Sequence, residues 1–546
     1  MANIKADILI RAGKIHTLQP GVPMKRSLAI LGQHIFSISE NYNDLNHLIG
    51  PKTRLINEPD STVLPAFDDT HTHLMLAGQM QFDVPVHNAN NIQEVLDLIR
   101  QRASTSEPGA WIFTTTNWQE FNLPEKRFPT IQELDEISSQ HPIIVRRGGH
   151  NMVANSCALA YAGITKDTKP PPGGEIGKDE NGEMTGLIQD SAVALIYKVQ
   201  PPIEAETRIR GLEGASASYA STGIGCVRDC WVPIEDVPIL QAAYDAGKLQ
   251  TRFRGLISAI GLSSVDEVSQ LLDQMEQWRH LQNHPWLSIW GVKFMLDGGI
   301  ESGAMEEPYV SEGCGCNSPT DYRGRLLWDP EQMIAALDIV IRRGWRIGTH
   351  ALGDRAVRII LDVYTELARR HPNMPPGTLV IEHGGLATAE QRARAAAINA
   401  SVTIQLPLLH DIAGISEVYY GRDRVSRVFP VRQWLDSGVL TTAGSDFPVG
   451  RYGAMYSLQG LTTRKTVIGV LGEEHAISLP EAIDLHTTTA AKFLGESNLR
   501  GMLTPGRYAD LTIWRRDPFE METVSEVQDA QTMYTIVGGQ IKHQYV

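Results

Sequence analysis

No stretch of this chain holds the ~18 consecutive apolar residues of a membrane-crossing helix, so a helical membrane protein is not expected. The opening residues, Met1-Ala-Asn-Ile-Lys-Ala-Asp-Ile-Leu-Ile-Arg11, lack the uninterrupted apolar core and small-residue cleavage site of a secretory signal. The expected location is cytoplasmic. Cysteine is scarce: Cys157, Cys226, Cys230, Cys314 and Cys316 are an odd and sparse set, which argues against a disulfide framework. Neither Cys314-Gly-Cys316 nor Cys226-x3-Cys230 has the second Cys or His pair of a structural zinc site, and free cysteines ordinarily behave as buried apolar residues. Positive charge is in deficit too, with 49 Lys and Arg against 63 Asp and Glu, a formal net charge of -14. Such a surface suits neither phosphate backbones nor anionic lipid, so no nucleic-acid partner and no membrane partner is expected. Internal repeats and low-complexity tracts are also missing. What remains is a small-molecule substrate; a homo-oligomer is compatible with the sequence, which leaves the assembly state open.

With 42% hydrophobic and 21% charged residues over 546 positions, the chain can bury a sizeable core and more than one domain. Beyond residue 60, eight runs read as strands: 62–67, 223–229, 251–258, 291–296, 346–351, 378–384, 401–406 and 438–446. Most precede a helical pattern, such as 354–370 or 388–400. This alternation predicts an α/β fold of the (β/α)8 TIM-barrel type.

Spacing refines the expectation. His350 and His383 are 33 positions apart, about one βα unit, and His383 and Asp446 are 63 apart, about two, which puts them on strands five, six and eight. Lys293 and His350 are separated by 57, one unit plus a loop, with the Gly- and Ser-rich segment 301–325 as the insertion. From His73 to Lys293 the distance is 220, too long for three units, so a lobe of roughly 140 residues must interrupt the barrel after its first strand. Both chain ends alternate short β runs with turns, at 7–15, 27–38, 53–57, 509–514 and 532–543, with Gly13-Lys14 and Gly538-Gly-Gln540 as hairpin turns. The expected organisation is a small β-sandwich of residues 1–60 plus 497–546 and a barrel of 61–496 with an inserted lobe at about 80–215.

The chemistry-bearing residues fall at the ends of these runs. His71 and His73, at i and i+2, share one face of an extended segment and can chelate one ion. The C-terminal face of a parallel barrel brings strand ends to one point. There His71, His73 and Asp446 would hold a first divalent ion, strands one and eight being neighbours in a closed barrel, and His350 with His383 would hold a second. Two ions about 3.5 to 4 Å apart need a bridging anion. Lys293 supplies one if CO2 carbamylates its amine to N6-carboxylysine; as an ammonium it could instead pair with a carboxylate such as Asp297. A lone His after a strand is more often a packed residue than a ligand, but four histidines and an Asp at consistent barrel positions reverse that expectation. The expected cofactor is a divalent metal, one or two ions. Asp446 would take a proton from the attacking water and return it to the leaving nitrogen or oxygen. An ester or carbamate hydrolase, a deaminase, and a metal-free scaffold are the alternatives.

The run Val63-Leu-Pro-Ala-Phe-Asp-Asp-Thr-His-Thr-His73, with Lys293, His350, His383 and Ser445-Asp446, resembles the amidohydrolase superfamily. Ala6-Asp-Ile-Leu-Ile-Arg-Ala-Gly-Lys-Ile15 and Gly501-Met-Leu-Thr-Pro-Gly-Arg-Tyr-Ala-Asp-Leu-Thr-Ile-Trp514 resemble its terminal segments. The long lobe, Gly149-His-Asn-Met-Val-Ala-Asn-Ser-Cys-Ala-Leu159, Asp297-Gly298 and His350-Ala-Leu-Gly-Asp-Arg-Ala356 are similar to the branch that contains N-substituted formamide deformylase. The resemblance implies the barrel with its sandwich, a zinc-like ion, and hydrolysis of amide-type C–N bonds. It favours His150 as a catalytic residue that polarises the carbonyl, against a hydrogen-bonded lobe histidine. One departure is the lead Phe67-Asp68-Asp69-Thr70, which lacks the usual glycine. Candidate substrate contacts are Trp118 and one of Arg146 and Arg147, with Arg147 preferred, in the lobe, and Glu301, Ser302 and Tyr322 in the loop after strand four. Asp354 is expected to cap the next helix or to hold His350.

Overall fold

The fold is built round a parallel sheet whose eight strands follow one another in chain order. The computed structural model describes residues 4–149, 151–171, 174–190, 192–310, 321–521 and 530–545. The strands are β1 (Phe67–Thr72), β2 (Ile224–Val232), β3 (Arg252–Ser258), β4 (Leu287–Met295), β5 (Arg346–Ala351), β6 (Leu379–His383), β7 (Ser401–Ile404) and β8 (Leu440–Ala443). Every adjacent pair from β1 to β8 is parallel. Buried on both faces, such strands read as near-continuous apolar runs, which is why they were visible in the sequence. The ring is nearly closed: between β8 and β1 the Asp446 amide donates to the His71 carbonyl at 2.8 Å and Thr70 Oγ1 to the Ala443 carbonyl at 2.9 Å. A Cβ on Gly444 would lie 2.5 Å from the His71 nitrogen and 2.7 Å from its carbonyl oxygen, so only glycine allows this close approach.

The first barrel strand differs from its expected span. Residues 62–65 end the long strand Arg54–Pro65, which pairs with Leu511–Trp514 in another sheet. The chain changes partner at Ala66, whose amide bonds Asp510, while the Phe67 amide bonds Gly223. An apolar run of period two carries no mark of where its hydrogen-bonding partner changes. The eighth strand likewise stops at Ala443, and residues 444–446 cross toward β1.

Helices between the strands carry the expected stripes and caps. In Asp354–Arg370 the residues Val357, Ile360, Leu361, Tyr364 and Leu367 are buried along one face. Pro330–Arg342 starts at Asp329, whose carboxylate accepts from the Glu331 and Gln332 amides, and Ala389–Ala397 starts with a Thr388/Gln391 capping box.

Both chain ends meet in one seven-stranded sheet, ordered Gln540–Gln544, Thr532–Val537, Leu511–Trp514, Arg54–Pro65, Ile8–Ile15, Lys25–Leu31 and His34–Ser39. Its ladders describe a single sheet, where a sandwich was expected. Ile10, Leu28, Ile56, Val63, Leu511, Ile513 and Ile536 form its core. Gly538 and Gly539, with φ of 55° and 72°, make the last hairpin turn as expected. Gly13-Lys14 does not turn: it lies within Ile8–Ile15, where Gly13 leaves room for the Pro59 carbonyl, 2.5 Å from where a Cβ would sit. Ile8–Ile15 pairs antiparallel with Lys25–Leu31 through residues 16–24, and the first tight hairpin turn falls at Gly32-Gln33.

A second compact unit comprises Leu76–Gly211 with Phe447–Arg451. It has its own five-stranded sheet, Ile112–Phe113, Ile143–Arg147, Asn151–Ala154, Met184–Asp190 and Gly174–Lys178, with helix Ile92–Thr105 contributing Ile92, Val95, Leu96 and Ile99 to its core. Among the described residues no helix is long and apolar enough to cross a membrane.

Candidate metal centre

The barrel interior concentrates its polar groups at the C-terminal ends of the strands. On β1, His71 is almost fully buried and donates from Nδ1 to Glu382 Oε2 at 2.6 Å. Its Nε2 faces the site, 3.5 Å from Asp446 Oδ1. His73 Nε2 lies 2.9 Å from the same oxygen, and its buried Nδ1 has no hydrogen-bond partner among the described residues. Donor atoms of His71, His73 and Asp446 all fall within 4.8 Å of one another, which suits a single ion.

The strands opposite bring a second pair. The His383 ring lies 4.7 Å from that of His71 and 4.5 Å from that of His350. His383 Nδ1 donates to Gln405 Oε1 at 2.7 Å, so its Nε2 is free, whereas His350 Nε2 donates to the Gly298 carbonyl at 3.1 Å, so its Nδ1 is free. His383 and Asp446 both have left-handed backbones, with φ of 76° and 58°. At His383 this turns the side chain out of the strand's alternation. Such conformations cost of order 1–3 kcal/mol and are held only where the surroundings demand them.

Lys293, on β4, is 97% buried, and its ammonium has neither hydrogen bond nor ion pair among the described residues. The expected alternative, a pair with Asp297, is absent. Asp297 instead accepts from the backbone amides of Ala304, Leu352 and Gly353 at 2.9, 3.1 and 3.0 Å, and lies 3.5 Å from His350 Nε2. An uncompensated buried ammonium is costly. A donor set of four imidazoles and one carboxylate, with a bare lysine among them, fits divalent ions.

Electrostatics agree for most of these groups. Burial, with the neighbouring His71 charge, pushes His383 down to about 3, and burial beside His383 and Lys293 takes His350 well below its ordinary value. Both imidazoles are therefore neutral, as ligands must be. Burial opposes ionisation of Asp446, but hydrogen bonds from His71 and His73 hold its carboxyl well below the usual range. His71 runs the other way: burial disfavours its charge, yet Cys230, Glu382 and Asp446 draw its pKa well up, so an ion binding there displaces a proton. His71, Cys230 and Glu382 also cluster closely enough for an ion. The Arg228 guanidinium already fills that corner, 3.2 Å from both Cys230 Sγ and Glu382 Oε2.

Sequence reasoning missed Glu382, Gln405 and the roles of Asp69 and Asp297. Asp69 accepts from the Ser445 amide and hydroxyl at 3.0 and 2.6 Å, tying β1 to the Asp446 loop, while Asp68 pairs with Arg500 at 2.5 Å. The departure Asp68-Asp69 is thus two buried attachments of the first strand. The available signal was a charged residue inside a buried run, as in Leu379-Val-Ile-Glu-His383.

His150, Cys314 and Cys316 lie outside the described residues. Trp118 and Arg147 belong to the second unit: Trp118 packs in its core and donates to the Arg146 carbonyl at 2.6 Å, Arg147 pairs with Glu120 at 2.9 Å, and Arg146 pairs with Asp83. Glu301 and Ser302 sit in the loop after β4, where the Ser302 carbonyl accepts from the Arg325 amide at 3.0 Å, and the Tyr322 ring packs 5.2 Å from that of Tyr309. Asp354 opens its helix and accepts from the Glu306 amide at 2.8 Å; the carboxylate beside His350 is that of Asp297.

A sequence profile of the amidohydrolase family matches residues 59–543. The chain is 25% identical over 551 residues to N-substituted formamide deformylase of Arthrobacter pascens, covering 98% of each protein. It is 27% identical to protein LONG AFTER FAR-RED 3 of Arabidopsis thaliana, over 98% of this chain and 92% of that one. Among solved structures, a metal-dependent hydrolase from Pyrococcus horikoshii shares the fold with a TM-score of 0.73 at 21% identity, over 94% of this chain and 98% of that chain.

Proposed function

From a chain that belongs to the amidohydrolase family, we propose a hydrolase that cleaves an amide-type C–N bond of a small molecule, with Asp446 as its proton shuttle. Membership of the family implies metal-dependent hydrolysis and a divalent ion. The finer reading rests on one observation: His71, His73, Lys293, His350, His383 and Asp446 converge at the ends of five barrel strands, with Lys293 buried and unpaired among the described residues. His71, His73 and Asp446 would hold one zinc ion, His350 and His383 another, and Lys293, carbamylated to N6-carboxylysine, would bridge them.

When bound, the ions supply an acidified water and polarise the scissile carbonyl. The chain's own residues do the rest. Gln405 and the Gly298 carbonyl fix the tautomers of His383 and His350, so each presents a bare nitrogen. The ionised Asp446 carboxylate accepts the water's proton and returns it to the leaving nitrogen. Glu301, Ser302 and Tyr322, on the loop after β4, are the proposed substrate contacts within the barrel unit. Trp118 and Arg147 are the proposed substrate contacts of the second unit, and His150 is the proposed carbonyl-polarising group. The similarity to a formamide deformylase supports N-formyl and N-acyl amines as first substrates to try.

The test is a panel of N-formyl and N-acyl amines beside matched esters, assayed by amine or alcohol release before and after chelation. Chelator-sensitive amine release restored by zinc is the expected result. Turnover of esters alone would overturn the C–N assignment.

A further inference from the structure

We propose that Glu382 is the positioning residue of the first metal site, and that Arg228 clamps its carboxylate so that His71 presents Nε2 to the ion. The inference rests on the reading of His71 as a ligand.

Glu382 and Arg228 are both fully buried in the barrel interior, on β6 and β2. Both Glu382 oxygens accept from Arg228, Oε2 from Nη1 at 3.2 Å, and Oε2 also holds His71. Oε2 accepts from His71 Nδ1 at 2.6 Å, and Oε1 accepts from Arg228 Nη2 at 2.6 Å. Arg228 Nη1 also donates to the Thr70 carbonyl at 2.9 Å, on the strand that carries His71. The guanidinium lies 4.6 Å from the centre of the Trp290 ring and 5.3 Å from that of Phe493, so its faces are packed as well as its edges. The backbone makes room for the pair: a Cβ on Gly348 would lie 2.2 Å from Glu382 Oε1 and 3.0 Å from Arg228 Nη2.

A carboxylate is an acceptor only. Bound to it, His71 must carry its proton on Nδ1, which leaves Nε2 as the metal-facing nitrogen. A carboxylate bonded to the outer nitrogen of a ligand histidine fixes the ring and raises its basicity, and losing it weakens metal binding by ~10- to 100-fold. Glutamine at 382 breaks the device, because its single oxygen can keep His71 only by turning the amide NH2 toward Arg228 Nη2, and can keep Arg228 Nη2 only by turning that NH2 toward the His71 N–H.

The experiment is zinc titration by chelator competition on wild type, Glu382→Gln and the double variant Arg228→Met/Glu382→Gln, with thermal midpoints recorded alongside. Glu382→Gln should weaken the tighter-coupled first site by ~10- to 100-fold while the second ion, held by His350 and His383, keeps its affinity. Its midpoint should drop, since Arg228 becomes an uncompensated buried charge. The double variant should recover the midpoint without recovering the first ion, which a merely structural pair would not do. Two ions bound as tightly by the folded variants as by wild type would overturn this inference alone; a wild type that binds no divalent ion would overturn it together with the functional reading.

Discussion

At the scale of single residues the account turns on which nitrogens and oxygens are left bare. Asp446 is held ionised by the neighbouring His71 and His73, and in the proposed function its carboxylate would serve both the ion and the proton transfer. Asn at 446 keeps the shape but cannot take a proton, so kcat for an amide substrate should fall by ~10²- to 10⁴-fold in metal-saturated enzyme. Steady-state kinetics at saturating zinc would check it; a loss of only a few-fold would move the base elsewhere. Gly348→Ala forces a methyl against Glu382 and Arg228, both enclosed and unable to withdraw. A destabilisation of ~1–3 kcal/mol is expected from overpacking, read from the urea midpoint.

At the scale of elements, the seam between β8 and β1 delivers Asp446 to the two histidines. Gly444→Ala would press a Cβ against the His71 backbone, so it should lower both stability and the affinity of the first ion. Thr388→Ala removes only a helix cap on the outer layer, and should cost ~0.5–2 kcal/mol of stability without changing metal content. Comparing the two by denaturation and metal analysis separates damage to the seam from general loss of stability. The barrel order, the long interruption after the first strand and the positions of the six candidate ligands were legible because strands buried on both faces print as apolar runs and the candidates sit where those runs end. What stayed hidden depends on partners distant in sequence. The switch of residues 62–65 into the terminal sheet, Gly13 in a strand rather than a turn, and Glu382 reaching His71 across 311 positions are all settled by tertiary contacts, which no local period records.

At the scale of the whole molecule, buried ion pairs hold the barrel to the terminal segments of the same unit. Arg252 pairs with Asp510 at 2.6 Å, and Glu496 bonds Arg254 at 2.6 Å and also Arg500, which in turn holds Asp68. Burial alone would raise the Glu496 pKa, but the two arginines take it from its ordinary 4.5 down to about 2. A carboxylate with a lowered folded pKa stabilises the fold fully above its unfolded value and loses that contribution as pH falls toward the folded one. Stability should therefore drop between pH 4.5 and about 2, and Glu496→Gln should flatten that part of the acid-unfolding curve. An unchanged slope would remove Glu496 from the account. The central claim is that Lys293 bridges two ions inside this scaffold, and the most direct measurement is the metal content of purified wild type beside Lys293→Ala, with and without added short-chain carboxylic acids. The account predicts two divalent ions per chain, a sharp fall in the variant, and recovery when an acid fills the vacated place; a single ion indifferent to the substitution, or none in the wild type, would contradict it.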